Sequence, residues 1–194
     1  TEVILAMYEQ KGNALLDELP GMFAFAIWNE EKQELFCARD RFGEKPFYYA
    51  HGKNGEFIFA SEMKAILASG LIKPIVNQEA ISHFLQYGYV SAQQSIYSNI
   101  FTLPPAHFLV FSKGNIQVER YDRRPKNDLK INLSDAKEEF SHLLKNAVQK
   151  QLIADVEVGS FLSGGLDSST IVAMVNEFKE KQTTISFGYS GENS

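Results

Sequence analysis

The sequence predicts two domains in tandem: an α+β domain with antiparallel strands, then an α/β domain with a parallel sheet. Three observations support this prediction. Short alternating strands with hairpin signals fill the chain up to residue 121, a charged stretch almost free of apolar residues follows, and a helix–strand–turn–helix–strand order comes after it. We therefore place the first domain at 1–121, a connecting segment at 122–133 and the start of a second domain at 134–194.

In the first domain, apolar residues at helical spacing predict helices at 2–11, 14–18 and 61–67 and a further helix from residue 77, with Ser61 and Asn77 as caps. Alternating apolar residues predict strands at 22–28, 34–39, 46–50, 56–60, 107–111 and 116–121. The pair Asn54-Gly55 is a strong hairpin signal between two of these strands. Phe23, Phe25 and Trp28 are expected to be core aromatics rather than ligand contacts. This succession of short strands, hairpins and helices is typical of an antiparallel sheet with added helices.

In the second domain, Ser134 is the predicted cap of a long amphipathic helix. A buried strand is predicted at 156–162, a second helix at 168–180 and a second strand at 183–187, with a Gly-Gly turn after the first strand. A β-α-β unit of this kind implies a parallel sheet, and ligands bind such sheets at the carboxyl ends of the strands.

Composition excludes several classes of function. Hydrophobic residues make up 44% of the chain and charged residues 22%, as in ordinary globular proteins. No apolar run approaches the roughly 20 residues of a membrane span, and the first residues lack the basic start of a secretory signal. A net charge of −5 disfavours nucleic-acid binding. The single cysteine, Cys37, fits a cytoplasmic protein and is predicted to be a buried bystander in its strand.

The most informative segment is Phe161-Leu162-Ser163-Gly164-Gly165-Leu166-Asp167-Ser168-Ser169, between a strand and a helix start. A helix start offers unpaired N–H groups and a partial positive charge, which suit a phosphate. Consecutive glycines let the backbone approach an anion, and the serines add hydroxyl donors. Asp167 would repel phosphate unless it held Mg²⁺. The lack of Gly-Lys-Ser/Thr argues against a Walker loop, and a strand-to-helix turn with ordinary caps is the alternative interpretation.

This segment resembles the pyrophosphate loop of the ATP pyrophosphatase superfamily, whose members adenylate a substrate and release pyrophosphate. The resemblance implies that Ser163, Gly164, Gly165, Asp167 and Ser168 hold the pyrophosphate and that Asp167 holds its Mg²⁺. It also implies that Leu162 and Phe187 contact the adenosine, although many relatives carry a smaller aliphatic residue at the position of Phe187.

Segments of the first domain indicate which member of this superfamily the chain resembles. The segments Gly21–Ala26, Arg39–Tyr49, Ala60–Ile66 and Leu103–His107 resemble the later part of a class II glutaminase domain of asparagine synthetases, with Ala106 in place of a usual glycine. The implied fold is an Ntn-type sandwich without its N-terminal part, followed by the start of an α/β ATP pyrophosphatase domain. If the resemblance is set aside, Arg39 and Asp40 are a polar strand end whose side chains could pair at the surface. Glu62 and Lys64 are then a solvated helix face.

The resemblance implies an enzyme, a carbon–nitrogen ligase that makes asparagine from aspartate, glutamine and ATP through a β-aspartyl-adenylate, releasing AMP and pyrophosphate. Class II glutaminases use an N-terminal cysteine, which is expected upstream of Thr1, so the 194 residues alone are expected to be inactive. Small molecules are the expected partners, with a homodimer as the suggested assembly. An amidotransferase of the β-lactam synthetase or lasso-cyclase type, making another amide, and a non-catalytic nucleotide-binding relative remain alternatives.

Overall fold

The computed structural model describes residues 1–91, 94–122 and 130–188, and the chain divides into two compact units, Thr1–Pro125 and Lys126–Ser194. Most of the predicted connecting segment, 122–133, lies outside the described residues, and its bounds stay a prediction. In the described part of the chain, no helix is both long enough and apolar enough to cross a membrane.

The first unit is built from helices and antiparallel sheet. Its helices are α1 (Glu2–Lys11), α2 (Leu15–Glu18), α3 (Met63–Ala68) and α4 (Gln78–Tyr87). Its strands are β1 (Ala24–Asn29), β2 (Glu34–Arg39), β3 (Tyr48–His51), β4 (Phe57–Ala60), β5 (Phe101–Thr102), β6 (His107–Ser112) and β7 (Asn115–Arg120). One sheet has the strand order β1-β2-β6-β7 and the other the order β4-β3-β5.

Local sequence signals explain several boundaries of these elements. Asn77 caps α4 as predicted, since its side chain accepts from the N–H of Ala80 at 3.1 Å. The hairpin predicted at Asn54-Gly55 joins β3 and β4. The prediction that Ser61 caps a helix is wrong: α3 begins at Met63, and Glu62 occupies the N-cap without a side-chain bond.

The four-stranded sheet is covered on both faces. Phe36, Ala38 and Phe108 face Leu15 and Leu16 of α2 in one buried cluster. The neighbouring residues on the same strands, Cys37 and Leu109, point to the opposite face. There they pack in another cluster with Phe47 and Leu103, on the side of the second sheet. This alternation follows from the two-residue period of a strand, and it makes the first unit a sandwich, as predicted.

The aromatic residues in and immediately before β1 divide between core and surface. Phe23 and Phe25 pack on the helix-side cluster, as predicted. Trp28 was predicted to lie in the core and is instead 50% exposed, with its indole N–H donating to Glu30. Trp28 lies near the end of a strand at the sheet edge, where fewer neighbours are available to cover a large ring.

The second unit contains α5 (Leu133–Gln151), β8 (Ser160–Phe161), α6 (Leu166–Val175) and β9 (Thr184–Ile185). The strands β8 and β9 are parallel, with Ser160 opposite Thr184. The predicted α/β class is therefore confirmed for this unit. Its helices begin earlier than predicted: Asn132, not Ser134, caps α5, and α6 runs over 166–175 instead of 168–180.

The strand predicted at 156–162 is much shorter and less buried than expected. Only Ser160 and Phe161 pair with β9, and Val156 and Phe161 are 78% and 70% exposed. The side chain of Ile171, an apolar residue of α6, is also exposed. An apolar run predicts burial only if neighbouring elements cover it, and the described part of this unit pairs a single strand with β8.

Candidate phosphate-binding loop

The carboxyl ends of β8 and β9 are tied together immediately before the loop. The N–H of Leu162 donates to the carbonyl of Ile185 at 2.9 Å, and the hydroxyl of Ser186 donates to the carbonyl of Leu162 at 2.6 Å. The residues from Ser163 to Gly165 then turn the chain into α6. The structure therefore brings the predicted loop, Leu162 and the segment carrying Phe187 to one end of the strand pair.

The two glycines of the loop leave space beside the backbone. Gly164 has φ +81°, a conformation that residues with a Cβ rarely adopt, and a Cβ there would meet nothing within 4 Å. A Cβ at Gly165 would have only the Oγ of Ser163 nearby, at 3.5 Å. The backbone conformation requires glycine at Gly164 while the surroundings stay open, so an anion can approach the main chain at this point.

The start of α6 has unused donors. Gly165 is its N-cap and has no side chain to accept from the first N–H groups. These groups have no intrahelical acceptor and, together with the helix dipole, favour a negative charge. Asp167 lies in this first turn and is exposed. An exposed carboxylate beside an anion site can be tolerated when a cation lies between the two charges.

The loop hydroxyls bond to each other. The Oγ atoms of Ser163 and Ser168 are 3.0 Å apart, and the Oγ of Ser168 also accepts from the N–H of Ser163 at 3.3 Å. The hydroxyl of Ser168 donates to the carbonyl of Gly165 at 3.2 Å. These bonds connect the residues before and after the two glycines of the loop.

The donor set fits a shared magnesium ion rather than a site built by protein alone. Within the described ranges, no group of three or more His, Cys, Asp and Glu side chains could hold a metal ion. Asp167 would thus supply a single carboxylate, which suits Mg²⁺ because this ion keeps waters and takes substrate phosphates as ligands.

The structure reveals one feature near the loop that sequence reasoning missed. The rings of Phe161 and Phe187 are stacked with centroids 6.1 Å apart, and Phe187 is 80% exposed. Leu162, by contrast, is half-buried. The side chains of Phe161 and Phe187 are 26 residues apart in sequence, so their contact depends on the pairing of the strands. The adenosine roles of Leu162 and Phe187 stay predictions.

Two charged residues at the end of β2, Arg39 and Asp40, differ from the interpretation made without the family. Without the family, Asp40 could pair with Arg39 at the surface, but Asp40 is fully buried and accepts from four backbone N–H groups, those of Phe23, Phe42, Glu44 and Lys45. Arg39 instead donates to the carbonyls of Gly43, Lys45 and Leu103. Both charged side chains bind main-chain groups of this turn, and Arg39 also binds the carbonyl of Leu103 beyond it, so their observed contacts are structural. Glu62 and Lys64 are exposed, in agreement with the interpretation as a solvated face, and they form an ion pair.

Cys37 is unsuited to nucleophilic chemistry. Its side chain is fully buried in the middle of β2, and burial raises the pKa of the thiol to about 12. The thiolate is the reactive form of cysteine, so this thiol is unreactive at neutral pH in the folded chain. The prediction that Cys37 is buried in its strand is confirmed.

Two models of known protein families match the chain. A family model described as the glutamine amidotransferase domain matches residues 1–122, and the chain belongs to this family. The family model described as asparagine synthase matches residues 139–194, which contain the loop. The predicted resemblance to glutamine-dependent asparagine synthetases is therefore confirmed.

Individual relatives agree with this assignment. The chain is 40% identical to a putative glutamine-hydrolysing asparagine synthetase 2 of Methanocaldococcus jannaschii over 99% of its own length and 38% of the relative. It is 39% identical to the glutamine-hydrolysing asparagine synthetase 3 of Bacillus subtilis, over 94% of the chain and 30% of the relative. The chain thus spans about a third of the curated relatives it matches. A solved glutamine phosphoribosylpyrophosphate amidotransferase from B. subtilis is more distant, with 15% identity, a TM-score of 0.37, and 92% of this chain and 35% of that chain covered.

Proposed function

We propose that these residues belong to an enzyme that makes asparagine from aspartate, with glutamine as nitrogen donor and ATP as energy source. In the proposed reaction the β-carboxylate of aspartate attacks the α-phosphate of ATP and pyrophosphate leaves. Ammonia from glutamine then displaces AMP from the β-aspartyl-adenylate. The order of the two matches, glutamine amidotransferase followed by asparagine synthase, supports this assignment.

The observation that carries the proposal is the open loop at the start of α6, inside the region that matches asparagine synthase. Gly164 leaves the backbone accessible, and the first N–H groups of the helix have no side-chain acceptor. Pyrophosphate is a concentrated anion and suits this arrangement. In the proposed site Ser163, Gly164, Gly165 and Ser168 surround it, and Leu162 and Phe187 flank the adenosine.

Asp167 would hold Mg²⁺ on the pyrophosphate side of the nucleotide. The ion would supply positive charge at the oxygens where negative charge accumulates as pyrophosphate departs. The glutamine half of the reaction is proposed for the first unit, with a nucleophilic cysteine other than Cys37.

Replacing Gly164 by valine tests the proposed function in the complete protein. The branched side chain would occupy the space through which phosphate approaches, so we expect pyrophosphate release and asparagine formation to fall by roughly 100-fold or more. Glutamine hydrolysis should continue. Asparagine, pyrophosphate and glutamate are measured in the same reaction.

Gly114→Val is the matched control, because Gly114 has a similar φ of +78°, has no atom near a Cβ and lies in the β6–β7 turn. This variant carries the same backbone strain and should retain synthesis. Normal synthesis by a folded Gly164→Val variant would refute the proposed function.

A further inference from the structure

Arg41 binds the main chain at the end of α2. Its Nη1 donates to the carbonyl of Leu19 at 2.8 Å, and its Nη2 donates to the carbonyls of Leu16 and Asp17, both at 3.2 Å. The last carbonyls of a helix have no donor within the helix, and a basic side chain can satisfy them. Arg41 therefore holds the carboxyl end of α2 in place.

The same guanidinium group also contacts Tyr121 and Asp122. The Nε of Arg41 lies 3.5 Å from Oδ1 of Asp122, and its Cζ lies 5.8 Å from the centre of the Tyr121 ring. An arginine at this distance from an aromatic ring is attracted to it. Five N–H donors in one rigid plane let a single guanidinium serve several acceptors at once. One side chain thus joins α2 to two residues that come much later in the chain.

Tyr121 and Asp122 lie where the chain leaves the four-stranded sheet. Tyr121 directly follows β7, and Asp122 is the first residue of the predicted connecting segment, 122–133. The N–H of Tyr121 donates to the carbonyl of Ala106 at 3.0 Å, and its hydroxyl donates to the carbonyl of Arg39 at 2.9 Å. Tyr121 is therefore bonded to the first unit through both its main chain and its side chain.

Asp122 has two basic neighbours that act over different distances along the chain. The Nε of Arg120 donates to the carbonyl of Asp122 at 3.0 Å, and its Nη2 lies 3.9 Å from the carboxylate. This contact ties Asp122 to the end of its own strand, whereas Arg41 ties it to α2. The side chains of Arg41 and Asp122 are 31% and 33% exposed, and partly buried pairs are screened less by salt than surface pairs.

We propose that Arg41 is a positioning residue that fixes the direction in which the chain leaves the first unit. The proposal rests on the proposed function, in which ammonia is released from glutamine in the first unit and consumed in the second. The connecting segment is the covalent link between the units, so a restraint on its first residue limits the arrangements that the second unit can adopt. Loss of this restraint lowers the share of ammonia that reaches the aspartyl-adenylate and leaves both half reactions working.

Replacing Arg41 by methionine in the complete protein tests the proposal. With glutamine as donor, we expect the asparagine formed per glutamate to fall by about threefold or more. With an ammonium salt as donor, asparagine formation should stay near wild type, because ammonia then reaches the second unit from solution. Lys11→Met is the matched control. It removes an exposed ion pair with Glu18 of α2 that does not include the residues after β7, and it should leave the ratio unchanged.

The two donors distinguish a failure of this proposal from a failure of the proposed function. A wild-type ratio of asparagine to glutamate in a folded Arg41→Met variant would overturn the role of Arg41. An equal loss of synthesis with the ammonium salt would also overturn it, because general damage would then explain the loss. If wild type makes no asparagine from either donor, the proposed function itself fails, and the role of Arg41 in ammonia transfer fails with it.

Asp122→Asn provides a second test that leaves the carbonyls of α2 bonded. It removes the charge that pairs with Arg41, so it should lower the same ratio by a smaller factor, and it decides the question alone if Arg41→Met does not fold. In either variant, hydrogen exchange at the amide of Tyr121, measured without substrates, should be faster than in wild type and in Lys11→Met. An unchanged exchange rate at this amide, or a wild-type ratio in Asp122→Asn, would overturn the proposed restraint.

Discussion

The turn after β2 and the turn after β8 use the same residue types in different surroundings. Each follows a strand and contains an aspartate and a glycine with positive φ, +67° at Gly43 and +81° at Gly164. A Cβ at Gly43 would lie 2.8 Å from the Cγ of Pro105, whereas a Cβ at Gly164 would meet nothing within 4 Å. Packing therefore closes the first turn and leaves the second open to a ligand.

The aspartates of these turns differ in the same way. Asp40 is fully buried; burial opposes its ionisation, but four backbone N–H donors outweigh that effect and lower its pKa. Asp167 is exposed in the first turn of α6. A carboxylate whose lone pairs are used by its own chain is structural. One left exposed beside an uncapped helix start is available for a cation, and this contrast is the main reason to assign chemistry to the second turn.

The largest effect on stability is expected from Asp40→Asn. The amide would turn an NH₂ group toward backbone donors and remove a buried negative charge that four N–H groups stabilise, at a cost of about 3 kcal/mol. Urea unfolding followed by the fluorescence of Trp28, the single tryptophan of the chain, measures this loss. Asp17→Asn, at an exposed site, is the control and should change stability by less than about 0.5 kcal/mol. Equal effects of the two substitutions would contradict the structural role of Asp40.

Wild type and the Asp40→Asn variant also provide a test of how stability depends on pH. Because the pKa of Asp40 is lowered on folding, its contribution is fully present above the pKa of the unfolded carboxyl and is lost as pH falls through the folded pKa. The stability difference between wild type and Asp40→Asn should therefore shrink in acid. A difference that is constant with pH would be inconsistent with this linkage.

A smaller effect is expected from Gly43→Ala. The substitution adds a left-handed strain and a close contact with Pro105, together about 2 kcal/mol. Gly55→Ala is the matched control, since Gly55 has φ +92° in the same unit with nothing within 4 Å of a Cβ, and it should cost about 1 kcal/mol. The same fluorescence measurement compares the two variants. If Gly55→Ala is as costly as Gly43→Ala, the close approach of Pro105 contributes nothing.

Local signals in the sequence predicted several elements that depend on neighbours in the chain, although they misplaced the caps of α3 and α5. The cap at Asn77, the turn at Asn54-Gly55 and the strand-to-helix position of the loop are of this kind, since caps and turns involve residues a few positions apart. The loop itself was predicted from six consecutive residues, and the family resemblance rested on similar short segments.

Contacts between distant segments could not be predicted in the same way. Arg39 donates to a carbonyl 64 residues away, at Leu103, and its role depends on how the two sheets come together. The burial expected at 156–162 failed for a related reason, because a strand is buried by its neighbours and not by its own composition. The Ser163–Ser168 contact depends on the shape of the turn, which residue types alone do not specify.

The proposed magnesium site depends most directly on Asp167, and one assay of Asp167→Asn in the complete protein tests it. The substitution removes a charge with little change in shape, so an ion on the departing pyrophosphate would lose an anionic ligand, and we expect pyrophosphate and asparagine formation to fall by roughly 100-fold or more. Glutamine hydrolysis, proposed for the first unit, uses neither ATP nor this ion and should continue, so glutamate and pyrophosphate are followed together. Normal pyrophosphate release would contradict the metal role of Asp167, and the loss of both activities in a folded variant would contradict separate sites for the two reactions.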